Sequence, residues 1–134
     1  MDAQSKRIDK ILGEDCERNR RNALRYLEYL KTAIKYPCRL TGIEYFPWEE
    51  PYLLGGWDKE EYEELKKHNP SYTDEYELIE LIEPESRYND ILAKVRRISD
   101  KKLFEIGLSW LKCTDSKNEN YQLLHDYSVW HVNY

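Results

Sequence analysis

Carboxylate side chains dominate the middle third of this 134-residue chain and are its largest supply of groups that could bind a ligand. Positions 44–85 contain 14 Asp and Glu residues and three Lys, a local charge of −11, whereas positions 5–35 carry +4 and positions 86–134 carry +2. Negative charges at this density repel each other unless metal cations, a basic partner or basic segments of the same chain offset them. The simpler interpretation, that these are ordinary solvated faces, stays open at this point.

Calcium is the metal that this composition favours, because it takes about six to eight oxygen ligands from carboxylates, carbonyls and water. The segment that begins at Asp58 lacks the Asp-x-Asp-x-Asn-Gly spacing of an EF-hand loop and its closing glutamate. A calcium site must therefore be assembled from surface carboxylates or from residues distant in sequence. The side chains that their chemistry predicts as ligands are Asp58, Glu60, Glu61, Glu64, Asp74, Glu75 and Glu77.

The segment 46–57 combines four aromatic residues with two prolines and two glycines. Large apolar side chains in a loop either fold back on the core or stay exposed for a partner. We expect at least one of Trp48 and Trp57 to be exposed. The neighbouring Glu49 and Glu50 favour a basic protein partner. Such a partner could belong to a nucleic-acid-handling complex that the chain would inhibit. A small-ligand pocket lined by the aromatic residues is a further alternative. The side chains predicted to bind a partner are Trp48, Glu49, Glu50, Tyr52 and Trp57.

The sequence predicts a binding protein and not an enzyme. The three histidines, His68, His125 and His131, have no neighbouring nucleophile in an arrangement that implies catalysis. GxSxG, Walker and HExxH motifs are absent from the sequence. Direct nucleic-acid binding is disfavoured by the pI of ≈ 5.3. It is also disfavoured because basic residues cluster only at 94–102, which is a small basic surface.

Length and an apolar content of 40% predict a single domain over residues 1–134. No apolar run approaches the ~20 residues needed to cross a bilayer, and the N-terminus is polar, so no membrane contact and a cytoplasmic location are expected. Cys16, Cys38 and Cys113 form no CxxC pair and predict buried, reduced thiols. The oligomeric state is not determined by any of these features.

An N-terminal helix at 5–36 is the first element that must position these side chains. Its apolar stripe at helical spacing consists of Ala23, Leu27, Leu30 and Ile34. Gly13 weakens the pattern upstream, so a break is expected there, and Pro37 ends the helix. A strand at 38–46 follows, and then an acidic and aromatic insertion at about 47–72, which contains a short helix at 59–68.

The second half of the chain predicts short strands joined by hairpin turns. The strands are expected at 76–83, where a helix is the alternative, and at 91–98, 102–108 and 111–113, with a turn at 99–101. Residues 121–132 form either a helical turn or a closing edge. The pattern predicts an α+β fold in which the N-terminal helix packs on a small, mainly antiparallel SH3-like or open β-barrel over 38–132.

Two stretches of the sequence, 26–40 and 91–130, resemble the CcbP family of small calcium-binding proteins known from cyanobacteria. YLEYLKTAIKYPCRL at 26–40 is similar to the family's helix, which ends in an aromatic-proline step before the first strand. ILAKVRR at 91–97, FEIGLSWL at 104–111 and LLHDYSVW at 123–130 are similar to its closing strands and its ending. The resemblance implies a compact barrel with an N-terminal helix, and calcium binding through acidic surface charge.

The same resemblance adds Asp126 to the predicted calcium ligands, because this residue lies in the matching ending. A carboxylate at this position could instead cap the final turn or pair with a neighbouring base. The segment 42–85 departs from the family pattern, since the aromatic loop and the acidic helix are inserted there.

Overall fold

Five α-helices and five β-strands make up the fold that the computed structural model describes for residues 2–134. In chain order the elements are α1 (Ala3–Leu12), α2 (Arg20–Ala33), β1 (Arg39–Gly42), α3 (Glu50–Leu53), α4 (Lys59–Leu65), β2 (Glu75–Ile82), β3 (Leu92–Arg97), β4 (Leu103–Gly107), β5 (Leu111–Cys113) and α5 (Glu119–Asn133). Two 3₁₀ turns, Pro47–Glu49 and Leu108–Trp110, precede α3 and β5. The α+β class predicted from the sequence is confirmed.

The segment predicted as one helix at 5–36 contains two helices, α1 and α2, separated by the non-helical residues 13–19. Asp2 caps α1 by accepting a hydrogen bond from the backbone N–H of Ser5 at 2.7 Å, as short polar side chains do at helix N-termini. The break expected at Gly13 is present, and the φ of +87° at this residue suits a side chain without Cβ. Helix α2 ends at Ala33, shortly before the predicted proline stop.

The strands form one antiparallel sheet in the order β4-β3-β2-β1-β5. The turn predicted at 99–101 joins β3 to β4, and Lys101 takes a φ of +63° in it. The edge strands β4 and β5 do not pair with each other within residues 2–134, so the sheet is open. A closed, SH3-like barrel is therefore not formed by the described residues, while the mainly antiparallel arrangement is confirmed. A barrel requires its two edge strands to pair, and β5 is only three residues long.

A β-bulge decides which side chains of β2 reach the core. Leu78 and Glu80 pair with successive residues of β3, which leaves Ile79 as an extra residue. An extra residue reverses the alternation of inward and outward side chains. Tyr76 is therefore buried before the bulge and Leu81 after it, at positions of opposite parity.

Helices α2 and α5 pack against the sheet, and α1 packs against both of these helices, so that the three enclose the core. Leu27 and Leu30 are fully buried, so the predicted packing face of α2 is confirmed. The rings of Tyr26 and Trp130 lie 5.2 Å apart and join α2 to α5, which forms a complete helix. No helix in residues 2–134 combines the length and the apolar character needed to span a membrane.

The predicted insertion lies in the connection between β1 and β2 and carries α3 and α4. Its end is bound to the sheet by Arg97, a buried side chain at the end of β3. The guanidinium donates to the backbone carbonyls of Lys66, Lys67 and Asn69 at 2.9 to 3.0 Å. These carbonyls follow the end of α4, where unpaired acceptors and a negative dipole end attract a cation. The insertion is thus a fixed part of the fold.

Candidate functional site

Four of the predicted calcium ligands lie together on α4 and its N-cap. Asp58 caps the helix, and its Oδ1 accepts hydrogen bonds from the backbone N–H groups of Glu60 and Glu61 at 2.9 and 3.3 Å. Glu64 pairs with Lys67 at 2.9 Å, and this contact lowers the pKa of the Glu64 carboxyl. Glu60 and Glu61 are exposed at the first turn, and Glu61 Oε1 accepts a hydrogen bond from the hydroxyl of Tyr52 at 3.1 Å.

Asp74, Glu75 and Glu77 lie on or beside β2, and each of them is next to an arginine. Asp74 Oδ2 accepts a hydrogen bond from Arg97 Nη1 at 3.1 Å. Glu75 lies 3.9 Å from an arginine of β1, and Glu77 lies 3.8 Å from an arginine of β3. Pairs of opposite charge across neighbouring strands stabilise a sheet modestly. These three carboxylates therefore already have cationic partners in the sheet.

Asp126 lies on α5 and is almost completely buried. Its Oδ2 accepts from Arg7 Nε at 2.7 Å, and its Oδ1 accepts from Arg7 Nη2 at 3.1 Å and from Gln4 Nε2 at 2.9 Å. Two-point pairing of this kind is a strong charge-assisted contact, and it raises the pKa of Arg7. The structure thus places Asp126 in an ion pair that fastens α1 to α5, a role that the sequence analysis left open.

The eight predicted ligands therefore lie at three places: α4, the sheet around β2, and the contact between α5 and α1. Among the residues from 2 to 134, no three His, Cys, Asp or Glu side chains converge as a metal site would require. The three cysteines are buried and unbonded, as predicted. Burial raises the pKa of Cys38 to about 12 and that of Cys16 to about 11, which disfavours the thiolate that binds metals.

A buried carboxylate that the sequence analysis missed, Asp90, lies just before β3. It is 5% exposed, and Gly107 leaves the space for it, because a Cβ there would collide with Oδ2. The hydroxyl of Tyr127 donates to Oδ1 at 2.7 Å, and the hydroxyl of Ser109 donates to Oδ2 at 2.6 Å. Burial and the nearby Asp90 charge raise the pKa of Tyr127, which therefore stays protonated. In the described chain, hydroxyl and backbone N–H groups supply all hydrogen bonds to this carboxylate.

Asp90 lines a cleft of about 610 Å³ together with two further carboxylates, Glu44 and Glu85. Glu44 follows β1, whereas Glu85 and Asp90 both lie in the connection between β2 and β3, so the carboxylates come from two chain segments. Arg18 and His131 also line the cleft. Three carboxylates against one arginine give a concave surface with excess negative charge, which attracts cations. The sequence contained no spacing signal for this arrangement.

Glu49, which the sequence analysis grouped with the partner-binding side chains, is fully buried. Its Oε1 accepts from the backbone N–H groups of Phe46 and Tyr72 at 3.1 and 2.9 Å. Its Oε2 accepts from the hydroxyls of Tyr62 and Ser71 at 2.6 and 2.7 Å. Four donors satisfy the charge without a cation. Glu49 is therefore corrected to a structural role, in which it joins the 3₁₀ turn, α4 and the segment before β2.

The aromatic residues of the insertion form a continuous stack. Trp48 is half-buried, and its indole N–H donates to the carbonyl of Pro70 at 2.7 Å. Tyr62 stacks on Tyr52 with ring centroids 5.6 Å apart, and Trp57 packs edge-on against Tyr52 at 5.8 Å. Trp57 is nevertheless 60% exposed. The prediction that at least one of the two tryptophans is exposed is confirmed.

No protein-family model and no curated protein sequence matches the chain. The fold is similar to that of Anabaena CcbP, with a TM-score of 0.60 and 15% identity over 95% of this chain and 87% of that chain. It is also similar to a calcium-binding protein in its calcium-binding form, with a TM-score of 0.55 and 15% identity over 96% of this chain and 89% of that chain. The resemblance to the CcbP family predicted from the sequence is thus confirmed at the level of the fold.

Proposed function

We propose that this protein binds calcium through surface carboxylates and that the cleft lined by Glu44, Glu85 and Asp90 is the main site. The observation that carries the proposal is the cleft itself, where the nearly buried Asp90 and two further carboxylates outnumber a single arginine. Hydroxyl and N–H donors satisfy Asp90, as they satisfy Glu49, so the attraction for a cation comes from the combined negative charge of the three carboxylates. A calcium ion would offset this charge.

The cleft offers the hard oxygen ligands that calcium requires. Asp90 is fixed by its hydroxyl donors, whereas Glu44 is exposed and can turn toward an ion. Glu85 would give up the hydrogen bond that its Oε1 accepts from the backbone N–H of Arg87 at 2.9 Å. Water and backbone carbonyls would complete the about six to eight ligands. A site that is assembled in this way from separate surface carboxylates favours modest affinity and rapid exchange, which suits calcium buffering.

The similarity to CcbP and to a protein described in its calcium-binding form supports the proposal, because both share this fold over nearly the whole chain. The carboxylates of α4 are the second place that we propose for the ion, with Asp58, Glu60 and Glu61 as ligands. The surface of a helix is convex, so it presents fewer ligands to one ion than a cleft does. We therefore expect the α4 site to be the weaker of the two.

Isothermal titration calorimetry of the chelator-treated protein with calcium chloride tests this function. We expect saturable binding by the wild type and binding weaker by at least about tenfold in the Glu44→Gln/Glu85→Gln variant. The control variant Glu14→Gln/Glu17→Gln removes the same charge from exposed positions between α1 and α2 and should bind as the wild type does. Circular dichroism of each variant checks that the fold is intact.

Three other results of these titrations would contradict either the function or the assignment of the site. Absence of saturable calcium binding by the wild type would overturn the function. Equal weakening in the two variants would show that only overall charge matters. A loss confined to a Glu60→Gln/Glu61→Gln variant would move the main site to α4 and contradict the assignment to the cleft.

A further inference from the structure

Three large apolar side chains are exposed close together in the insertion between β1 and β2. Leu53, Leu54 and Trp57 have exposed fractions of 40%, 64% and 60%. We call these three residues the Trp57 patch. Isolated apolar side chains on a surface are ordinary, but a concentration of them usually marks an interaction site.

The Trp57 patch is held in a defined shape. Gly55 lets the Trp57 indole lie close, because a Cβ at this position would sit 3.3 Å from the ring and would collide with the carbonyl oxygen of Pro51. Gly56 takes a φ of +68°, which favours glycine, as the chain turns toward α4. Tyr52 supports the indole from the buried side. An aromatic side chain that is already fixed loses little conformational entropy on binding.

Acidic side chains flank the Trp57 patch at both ends. Between positions 50 and 61 the chain has four acidic residues and one lysine, a net charge of −3, and all five are exposed. We call the four acidic residues the rim, and they are Glu50, Asp58, Glu60 and Glu61. A surface of this sign attracts a basic partner and repels an acidic one.

We propose that the Trp57 patch and its rim dock a basic protein segment with an apolar face, such as an amphipathic helix that carries Lys and Arg beside Leu. The apolar face would cover the patch while the basic side chains meet the rim, which is the usual arrangement of an apolar interface core and a charged periphery. Compared with the partner-binding residues predicted from the sequence, this surface excludes Trp48 and Glu49 and includes Leu53 and Leu54.

Charge also decides between this partner and two other occupants. A second copy of the chain would bring two rims of the same sign together, which is unfavourable. An anionic lipid surface would repel the rim in the same way. The main calcium site does not overlap this surface, because the cleft carboxylates Glu44, Glu85 and Asp90 lie outside the patch and the rim. Asp58, Glu60 and Glu61 belong both to the rim and to the weaker calcium site, so docking is tested without calcium.

The test uses the full chain with a chelator present and a synthetic amphipathic Leu/Lys peptide of about 18 residues, long enough to form a helix. Calorimetry measures the affinity, and we expect it to fall about tenfold in Leu54→Ser/Trp57→Ser and in Glu50→Gln/Glu60→Gln/Glu61→Gln. The variant Glu14→Gln/Asp15→Asn/Glu17→Gln removes the same charge elsewhere and should match the wild type. In heteronuclear NMR spectra the indole N–H signal of Trp57 should shift, while that of the buried Trp130 should not.

Peptides of the same length that contain Leu and Glu, or Lys and Ser, should bind at least about tenfold more weakly, because each lacks one component of the contact. The proposal is overturned if the wild type does not bind the Leu/Lys peptide, or if Leu54→Ser/Trp57→Ser binds it unchanged. Equal binding of the Lys/Ser peptide would reduce the contact to charge alone. Dimerisation of the wild type through Trp57 in sedimentation, or tighter binding to phosphatidylserine vesicles, would assign the patch to another occupant.

Discussion

Arg97 and Asp100 form a two-point ion pair at the turn between β3 and β4. Arg97 Nη2 lies 2.7 Å from Asp100 Oδ2, and Arg97 Nε lies 3.0 Å from Oδ1. The arginine side chain is 4% exposed, and the same guanidinium binds Asp74 and the carbonyls that follow α4. This pair therefore connects the hairpin turn to the insertion that carries the Trp57 patch.

The Asp100→Asn variant should show a pH-dependent loss of stability. The hydrogen bonds from Arg97 lower the pKa of the Asp100 carboxyl from 3.8 to about 2. A lowered pKa in the folded state means that the ionised carboxylate stabilises the fold, so this contribution is present above about pH 4 and is lost as the pH falls toward about 2. In urea unfolding, the variant should be less stable than the wild type at neutral pH, and the difference should shrink across this range. A difference that does not vary with pH would contradict the ion pair.

The Arg97→Met variant should lower the free energy of unfolding by about 3–5 kcal/mol, because it leaves two carboxylates and three carbonyls without their donor. Hydrogen exchange should rise more in residues 59–69 than in β2, since the arginine binds the end of α4. The matched control is Arg96→Met, in a partly exposed pair with Glu77, which should cost less than about 1 kcal/mol. Equal losses in both variants would show that Arg97 does not anchor the insertion.

Substitution of Glu49 and Glu50 should separate the structural carboxylate from the exposed one. Glu49→Gln replaces an acceptor of four hydrogen bonds with an amide and should cost about 1–3 kcal/mol in denaturant melts. Glu50→Gln alters an exposed side chain and should change stability by less than about 0.5 kcal/mol. The reverse order of these losses would contradict the buried position of Glu49.

The packing face of α2 can be measured with Leu30→Ala. Leu30 is fully buried, so its truncation should cost about 2–5 kcal/mol. Leu103→Ala, at a position that is 53% exposed, removes the same atoms and should cost well below about 1 kcal/mol. If the loss at Leu30 is below about 0.5 kcal/mol in urea melts, the helix does not pack on the core as described.

Magnesium should compete poorly with calcium at the cleft. It demands near-octahedral geometry and gives up its water reluctantly, whereas separate surface carboxylates offer an irregular set of oxygens. In calorimetry with excess magnesium chloride, the apparent calcium affinity should fall by less than about threefold. Equal affinities for the two ions would indicate a purely electrostatic cation site in place of a calcium site.

Local patterns were enough to predict where most elements lie. Alternation at 91–98 and 102–108 predicted β3 and β4, and the spacing of Leu27 and Leu30 predicted the buried face of α2. These signals succeed because the period of apolar residues reports which face of an element is buried. The segment 121–132 stayed ambiguous, because a short apolar run fits both the helical and the strand period. Its packing against other elements decides that it is a helix.

The sequence by itself determined the α+β class, the acidic middle segment and the aromatic insertion. Only the tertiary structure decided which carboxylates are available, since Glu49 is buried among four donors while its neighbour Glu50 is exposed. The donors to Asp90 come from Ser109 and Tyr127, which are 19 and 37 positions away. The free energy of a charged side chain depends on the donors and the water around it. Distant segments of the chain supply the donors and determine how much water reaches the side chain, so neither can be read from local spacing.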